Sequence, residues 1–126
     1  VTDSIARSVR EFHDKLGLGV ADSPALLPPE QAELRRRLLH EEVRELDEAV
    51  ESGDLVAIAH ELADVVYVAY GTAVTYGIDL DRVLAEIHRA NMTKSPPSGG
   101  KARKGPGFVP PDVAGALYAP GQGPVT

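Results

Sequence analysis

Apolar residues recur with a helical period along four stretches of the chain. Ile5, Val9, Phe12 and Leu16 fall at i, i+4, i+7 and i+11 and predict a first helix over about residues 3–16. Gly17 to Pro29 reads as a loop, with Pro29 placed where a helix can start without losing a useful N–H. Leu39, Val43, Leu46 and Val50 repeat the same spacing in a second helix running to about Glu51. Ser52-Gly53-Asp54 breaks it, and Asp54 can cap a third helix over about 55–76. That third helix is apolar on nearly every side, the pattern of a buried central helix. Gly77 ends it, Asp79 caps a fourth, and Leu80, Leu84 and Ile87 form the last stripe. Short turns favour antiparallel neighbours, so the fold class expected is all-α, a four-helix bundle.

Beyond Lys94 the pattern stops. Residues 95–126 hold 7 of the 10 prolines and 7 of the 12 glycines, too many for a long helix or a central strand. The expected organisation is therefore a helical domain over 1–94 and an irregular tail over 95–126. A chain of 126 residues suits one core. With 19 acids against 13 bases, net −6, it lacks the basic face that sequence-independent binding to nucleic acid needs. There is no cysteine, which excludes disulfides, zinc fingers and a thiol nucleophile. The longest uncharged run, Val65 to Ile78, is 14 residues, short of the roughly 20 of a membrane span, so no membrane partner and a cytoplasmic setting are expected.

Four acids stand on the wrong faces. On a helical wheel with Leu39 at 0°, Val43, Leu46 and Val50 lie within about 40°, Leu38 near 260° and Leu34 near 220°, whereas Glu42 lies near 300° and Glu45 near 240°. Both carboxylates thus fall inside the apolar arc, where an ionised acid is costly unless paired or metal-bound. Between Leu55 and Val74 the only acidic or basic side chains, histidine aside, are Glu61 and Asp64, one turn apart on one face. Two such pairs on adjacent antiparallel helices gather four carboxylates. Oxygen donors without sulfur or imidazole suit Mg²⁺, with Mn²⁺ as the alternative. A salt-bridge network to Arg35, Arg44 or Arg89 is the competing reading. A di-iron site is disfavoured, because no Glu has His at i+3.

Asn91 and Lys94 extend the fourth stripe by one and two turns, and the tail adds Lys101, Arg103 and Lys104 among glycines. These are candidate phosphate contacts; a frayed helix end and a solvated basic patch are the plain alternatives.

Together these residues resemble the MazG-like all-α nucleoside triphosphate pyrophosphohydrolases, a superfamily that includes phosphoribosyl-ATP pyrophosphohydrolase and the dimeric dUTPases. The motif is Glu41-Glu42-x-x-Glu45, then Glu61-x-x-Asp64, then Asn91-Met92-x-Lys94. Leu34-Arg35, Leu38-Leu39, Asp64-Val65-Val66-Tyr67, Tyr70-Gly71 and Phe12-His13 also match, and Gly100-Lys101 to Pro110-Pro111-Asp112 is similar to the tail of the phosphoribosyl-ATP pyrophosphohydrolase-like subgroup. The resemblance implies Mg²⁺ on Glu42, Glu45, Glu61 and Asp64, a water-activating role for Glu41, and phosphate contacts from Asn91 and Lys94. It also implies cleavage of a nucleoside triphosphate to monophosphate and pyrophosphate by a homodimer or homotetramer. The dUTPase-like subgroup points to dUTP or another pyrimidine deoxynucleotide in nucleotide-pool house-cleaning, with Phe12, His13 and Tyr67 as candidate base contacts. The competing functions are phosphoribosyl-ATP hydrolysis in histidine synthesis and a non-catalytic helical oligomerisation module.

Overall fold

The computed structural model describes residues 4–118; the expected helix start at residue 3 and the tail beyond 118 lie outside the described residues. The element order is α1 (Ile5–Leu16), α2 (Pro29–Ser52), α3 (Leu55–Tyr76), α4 (Leu80–Asn91) and α5 (Val113–Leu117). The chain is all-α, as the periodicity requires. It divides between Ile78 and Asp79 into two compact units, so α4 clusters with the tail.

In the first unit α2 and α3 form a hairpin, and α1 packs on α3. Each helix has a local reason to begin. The Ser4 hydroxyl accepts from the Arg7 N–H, and Asp54 Oδ1 accepts from the N–H groups of Val56 and Ala57 at 3.0 and 3.3 Å. Pro29 opens α2 as expected.

The buried faces differ from the apolar stripes. On α1 only Val9 and His13 are buried, while Ile5 and Leu16 are about half exposed. On α2 the buried residues are Arg35 and Ala49, with Leu38, Leu39, Glu42, Glu45 and Leu46 half-buried; Val43 and Val50 are 42% and 57% exposed. The inward arc is thus centred near 300°, on Glu42 itself, with Arg35 two turns before it and Ala49 two turns after. On α3 only Tyr70, Gly71, Ala73 and Thr75 are buried. Leu55, Val56 and Leu62 are 77%, 80% and 52% exposed, which corrects the expectation of a helix buried along its whole length. The reason lies in length: α3 has 22 residues and spans about 33 Å, whereas α1 has 12 and spans about 18 Å.

The covered half of α3 holds a polar core. His13 Nδ1 lies 2.9 Å from the Gly19 carbonyl and donates to it, since a carbonyl only accepts. Arg35 donates from Nε to Thr72 Oγ1 at 3.1 Å and from Nη2 to the Val68 carbonyl at 3.0 Å. Burial lowers the pKa of this guanidinium. Both groups converge on Gly71: a Cβ there would stand 2.6 Å from Arg35 Nη2 and 2.8 Å from His13 Nε2. A side chain is excluded at Gly71 by this packing and not by backbone conformation. The loop before α2 docks through Ala21 N–H to the Val74 carbonyl and Ala25 N–H to the Tyr76 carbonyl.

In the second unit the tail is tied to α4. Glu86 takes a two-pronged contact from Arg89, 2.9 Å on each oxygen, and accepts from the Asp112 N–H at 2.6 Å. Arg89 also donates to the Pro110 carbonyl. Thr93 accepts from the Val109 N–H, and Ser95 and Arg103 exchange both backbone hydrogen bonds. Asp112 caps α5, a short helix that the four periodic stripes do not contain. The hydrogen bonds to Arg89 and the Asp112 N–H hold the Glu86 carboxyl at about 2, below the ordinary 4.5. Between those values the unfolded chain binds the extra proton, so stability from this group is full above about 4.5 and is lost as pH falls through about 2. Thermal melts are therefore expected to show a gap between the native chain and Glu86→Gln that is widest at pH 5 and narrows toward pH 2.

By length and mean hydropathy alone α3 is a helix that could cross a membrane. Its packing on α1 and α2, and its acids Glu61 and Asp64, fit a helix of a folded bundle.

Candidate active site

The two acid pairs meet across the α2–α3 hairpin. Carboxylate oxygens of Glu42, Glu45 and Glu61 lie within 4.8 Å of one another, and so do donor atoms of His60, Glu61 and Asp64. Glu61 belongs to both groups. Two oxygens, Glu42 Oε2 and Glu61 Oε2, are buried and accept no hydrogen bond. Orphaned buried acceptors are uncommon and costly.

The electrostatics agree with that geometry. Burial raises the Glu42 carboxyl above the ordinary range, and the negative charges of Glu45, Asp64 and Glu61 push it further. Burial is also the main reason that Glu61 is raised, followed by the neighbouring Glu45 carboxyl. In the metal-free protein these acids therefore oppose folding as pH rises from the ordinary carboxylate range through their raised values, because the folded state there holds more protons. The donor set is rich in hard oxygen, with two lone-pair sites unused, and so fits a divalent cation. Glu42→Gln is expected to raise the melting temperature of the metal-free chain and to lose most of the rise that a divalent cation gives the native one. Differential scanning calorimetry with EDTA and with added cation checks both signs.

The arginines do not neutralise the cluster. Arg35 is engaged with Thr72 and Val68, Arg89 with Glu86, and Arg44 lines the concavity beside Glu41. Among the described residues the one ion pair reaching the four acids is His60 Nε2 to Asp64 Oδ2, at 3.1 Å. The salt-bridge reading thus lacks its arginines.

Residues 9–91 match the family described as Phosphoribosyl-ATP pyrophosphohydrolase. The chain belongs to that family. No curated protein matches it. Members of the phosphoribosyl-ATP pyrophosphohydrolase family hydrolyse phosphoanhydride bonds, and this chain is a pyrophosphohydrolase of that kind. The family is generally metal-dependent, which agrees with acids able to hold an ion. The matched stretch includes all four acids and Asn91; it stops short of Lys94 and of the tail cations.

The structure places the other candidates as follows. Glu41 is exposed and belongs to neither donor group; it lines a shallow concavity of about 250 Å³ on α2 with Glu33, Arg36, Arg37, His40 and Arg44. Phe12 and Tyr67 are each 38% exposed and meet edge to face, with ring centroids 5.7 Å apart. His13 is buried, and its Nδ1 is used to hold Gly19.

Asn91 is the last residue of α4 and is exposed. Lys94 lies past the helix end, in the turn closed by its own N–H on the Asn91 carbonyl, and so does not extend the α4 stripe by a second turn. The Met92 N–H still bonds the His88 carbonyl at helical spacing, but the Thr93 and Lys94 N–H groups close tighter turns on the Ala90 and Asn91 carbonyls, and the helix ends there. Lys101 is exposed in the loop that the Ser95–Arg103 bridge closes. Arg103 donates from Nε to the Pro96 carbonyl at 2.9 Å, and Lys104 Nζ sits 5.5 Å from the Phe108 ring centroid. His13, Arg35 and Gly71 stood among the residues of the resemblance, but nothing in the sequence showed that they meet in one polar core with Thr72.

Proposed function

We propose that this pyrophosphohydrolase acts on a nucleoside triphosphate, with dUTP or another pyrimidine deoxynucleotide favoured, releasing the monophosphate and pyrophosphate in nucleotide-pool house-cleaning. The observation that carries the reading is the pair of buried, unpartnered oxygens, Glu42 Oε2 and Glu61 Oε2, in the carboxylate cluster of a family member. Glu42, Glu45, Glu61 and Asp64 hold the cation, Mg²⁺ or Mn²⁺. When bound it supplies charge neutralisation and a more acidic water.

The other roles fall to the chain's own groups. Glu41, at the rim of the acid arc, accepts the proton of the attacking water. Asn91, Lys94, Lys101, Arg103 and Lys104 neutralise the phosphates of the leaving pyrophosphate. Phe12 and Tyr67 are the exposed rings available to a base, with His13 behind Phe12 at 6.2 Å between ring centroids. The catalytic portion is residues 1–94, followed by an irregular tail from 95. The working form is a homodimer or homotetramer in the cytoplasm, supported by exposed Val43, Val50, Leu55, Leu62 and Val66 on α2 and α3.

Phosphoribosyl-ATP is the second reading, favoured by the name of the matching family. The Pro/Gly-rich tail and the Asn-Met-Thr-Lys segment favour the first. The test is pyrophosphate release from a panel of canonical and modified triphosphates and phosphoribosyl-ATP, with cation and with EDTA. Cation-dependent release led by dUTP is expected. Preference for ATP or phosphoribosyl-ATP by about tenfold, some 1.4 kcal/mol in transition-state stabilisation, overturns the dUTP assignment. Light scattering on the same sample reads the oligomeric state.

A further inference from the structure

We infer that His60 supplies a nitrogen ligand to the cation on the α3 side of the carboxylate cluster, so that the site favours a first-row transition ion such as Mn²⁺ over Mg²⁺. The inference rests on the cation reading of Glu42, Glu45, Glu61 and Asp64 and adds a residue outside that set.

His60 stands four residues before Asp64, so both side chains leave the same face of α3 one turn apart. Its Nε2 is 3.1 Å from Asp64 Oδ2. Two donors at right angles on an ion, each about 2.1 Å away, are about 3.0 Å apart, so the observed separation already equals one edge of an octahedral site. The third member is present too, because Glu61 has a carboxylate oxygen within 4.8 Å of both donors, and its Oε2 is the buried oxygen that accepts no hydrogen bond. The imidazole is accessible, with 68% of its side chain exposed, against 41% for Asp64. An incoming ion can therefore reach Nε2 without opening the hairpin.

In the cation-free chain Nε2 stands 3.1 Å from Asp64 Oδ2. With an ion in place the Nε2 lone pair faces the ion and the ring proton resides on Nδ1. Imidazole suits first-row transition metals, whereas Mg²⁺ prefers oxygen and retains its waters. An all-oxygen site would discriminate less between Mg²⁺ and Mn²⁺. The other histidines are elsewhere in the chain, and His13 has its Nδ1 committed to Gly19.

Pulsed electron paramagnetic resonance on the full chain loaded with Mn²⁺ tests the assignment, alongside Mn²⁺ and Mg²⁺ affinities of the native chain and of His60→Asn. Nitrogen hyperfine coupling is expected in the native chain and not in the variant. The variant is expected to lose about tenfold in Mn²⁺ affinity with Mg²⁺ affinity unchanged. Since His60 is exposed, a circular dichroism melt should overlay the native one. Bound Mn²⁺ without nitrogen coupling, or coupling that persists in His60→Asn, overturns the inference while leaving the carboxylate site intact. If Mn²⁺ does not bind to the chain at all, the carboxylate reading fails and the inference falls with it.

Discussion

Replacing Glu61 by Gln is expected to lower cation-dependent pyrophosphate release about 100-fold or more and to weaken cation binding with it. Glu61 is the member common to both donor groups, so its loss strikes every arrangement in which an ion sits between α2 and α3. Gln keeps the volume and one oxygen but removes the negative charge. The fold should survive, because Glu61 Oε2 has no hydrogen-bond partner to lose and because burial and Glu45 already disfavour its ionised form. The metal-free variant should accordingly melt no lower than the native chain. Turnover assays with saturating cation, read against circular dichroism spectra, check the pair of outcomes. Retention of turnover within twofold at unchanged cation affinity would remove Glu61 from the ligand set.

The second large effect concerns stability. Gly77→Ala is expected to cost about 3 kcal/mol and roughly 10 °C in melting temperature. Gly77 ends α3 with φ +74, a conformation that L side chains rarely adopt, and a methyl there would run into the Ser23 carbonyl. That carbonyl cannot retreat freely, since the loop is fastened on both sides by the Ala21–Val74 and Ala25–Tyr76 backbone hydrogen bonds. Gly53→Ala is the control. Gly53 ends α2 at φ +70 with nothing within 4 Å of the new methyl, so it incurs only the conformational term, about 1 kcal/mol. Chemical denaturation of both variants separates the collision from the backbone cost. Equal losses would show that the loop yields and that its docking on α3 is loose.

The helices were legible because their signals are local. Period, caps and breakers lie within a few residues of one another, and Asp54, Gly53, Asp79 and Gly77 act where their neighbours in sequence place them. The short α5 was missed for the same reason: its five residues are too few to show a period, and only Asp112 marks its start. The acid pairs were legible because a carboxylate in an apolar arc conflicts with the rest of its own helix, a contradiction visible without knowing the neighbours.

Residue pattern alone determined an all-α chain and singled out two acid pairs, Glu42 with Glu45 and Glu61 with Asp64, each one turn apart on its own helix. It could not determine which arc of each helix is covered, because an apolar stripe reports transfer preference and not the position of a neighbour. Only the tertiary structure decided which part of the apolar arc of α2 is covered, the side from Glu45 to Leu39 with Glu42 at its centre, leaving Val43 and Val50 exposed. It likewise decided that Arg35 turns to Thr72 and the Val68 carbonyl instead of to the acids, and that His60 faces Asp64. The reason is physical: the energy of a charge depends on its burial and on partners many residues away, and those are set by how α1, α2 and α3 pack.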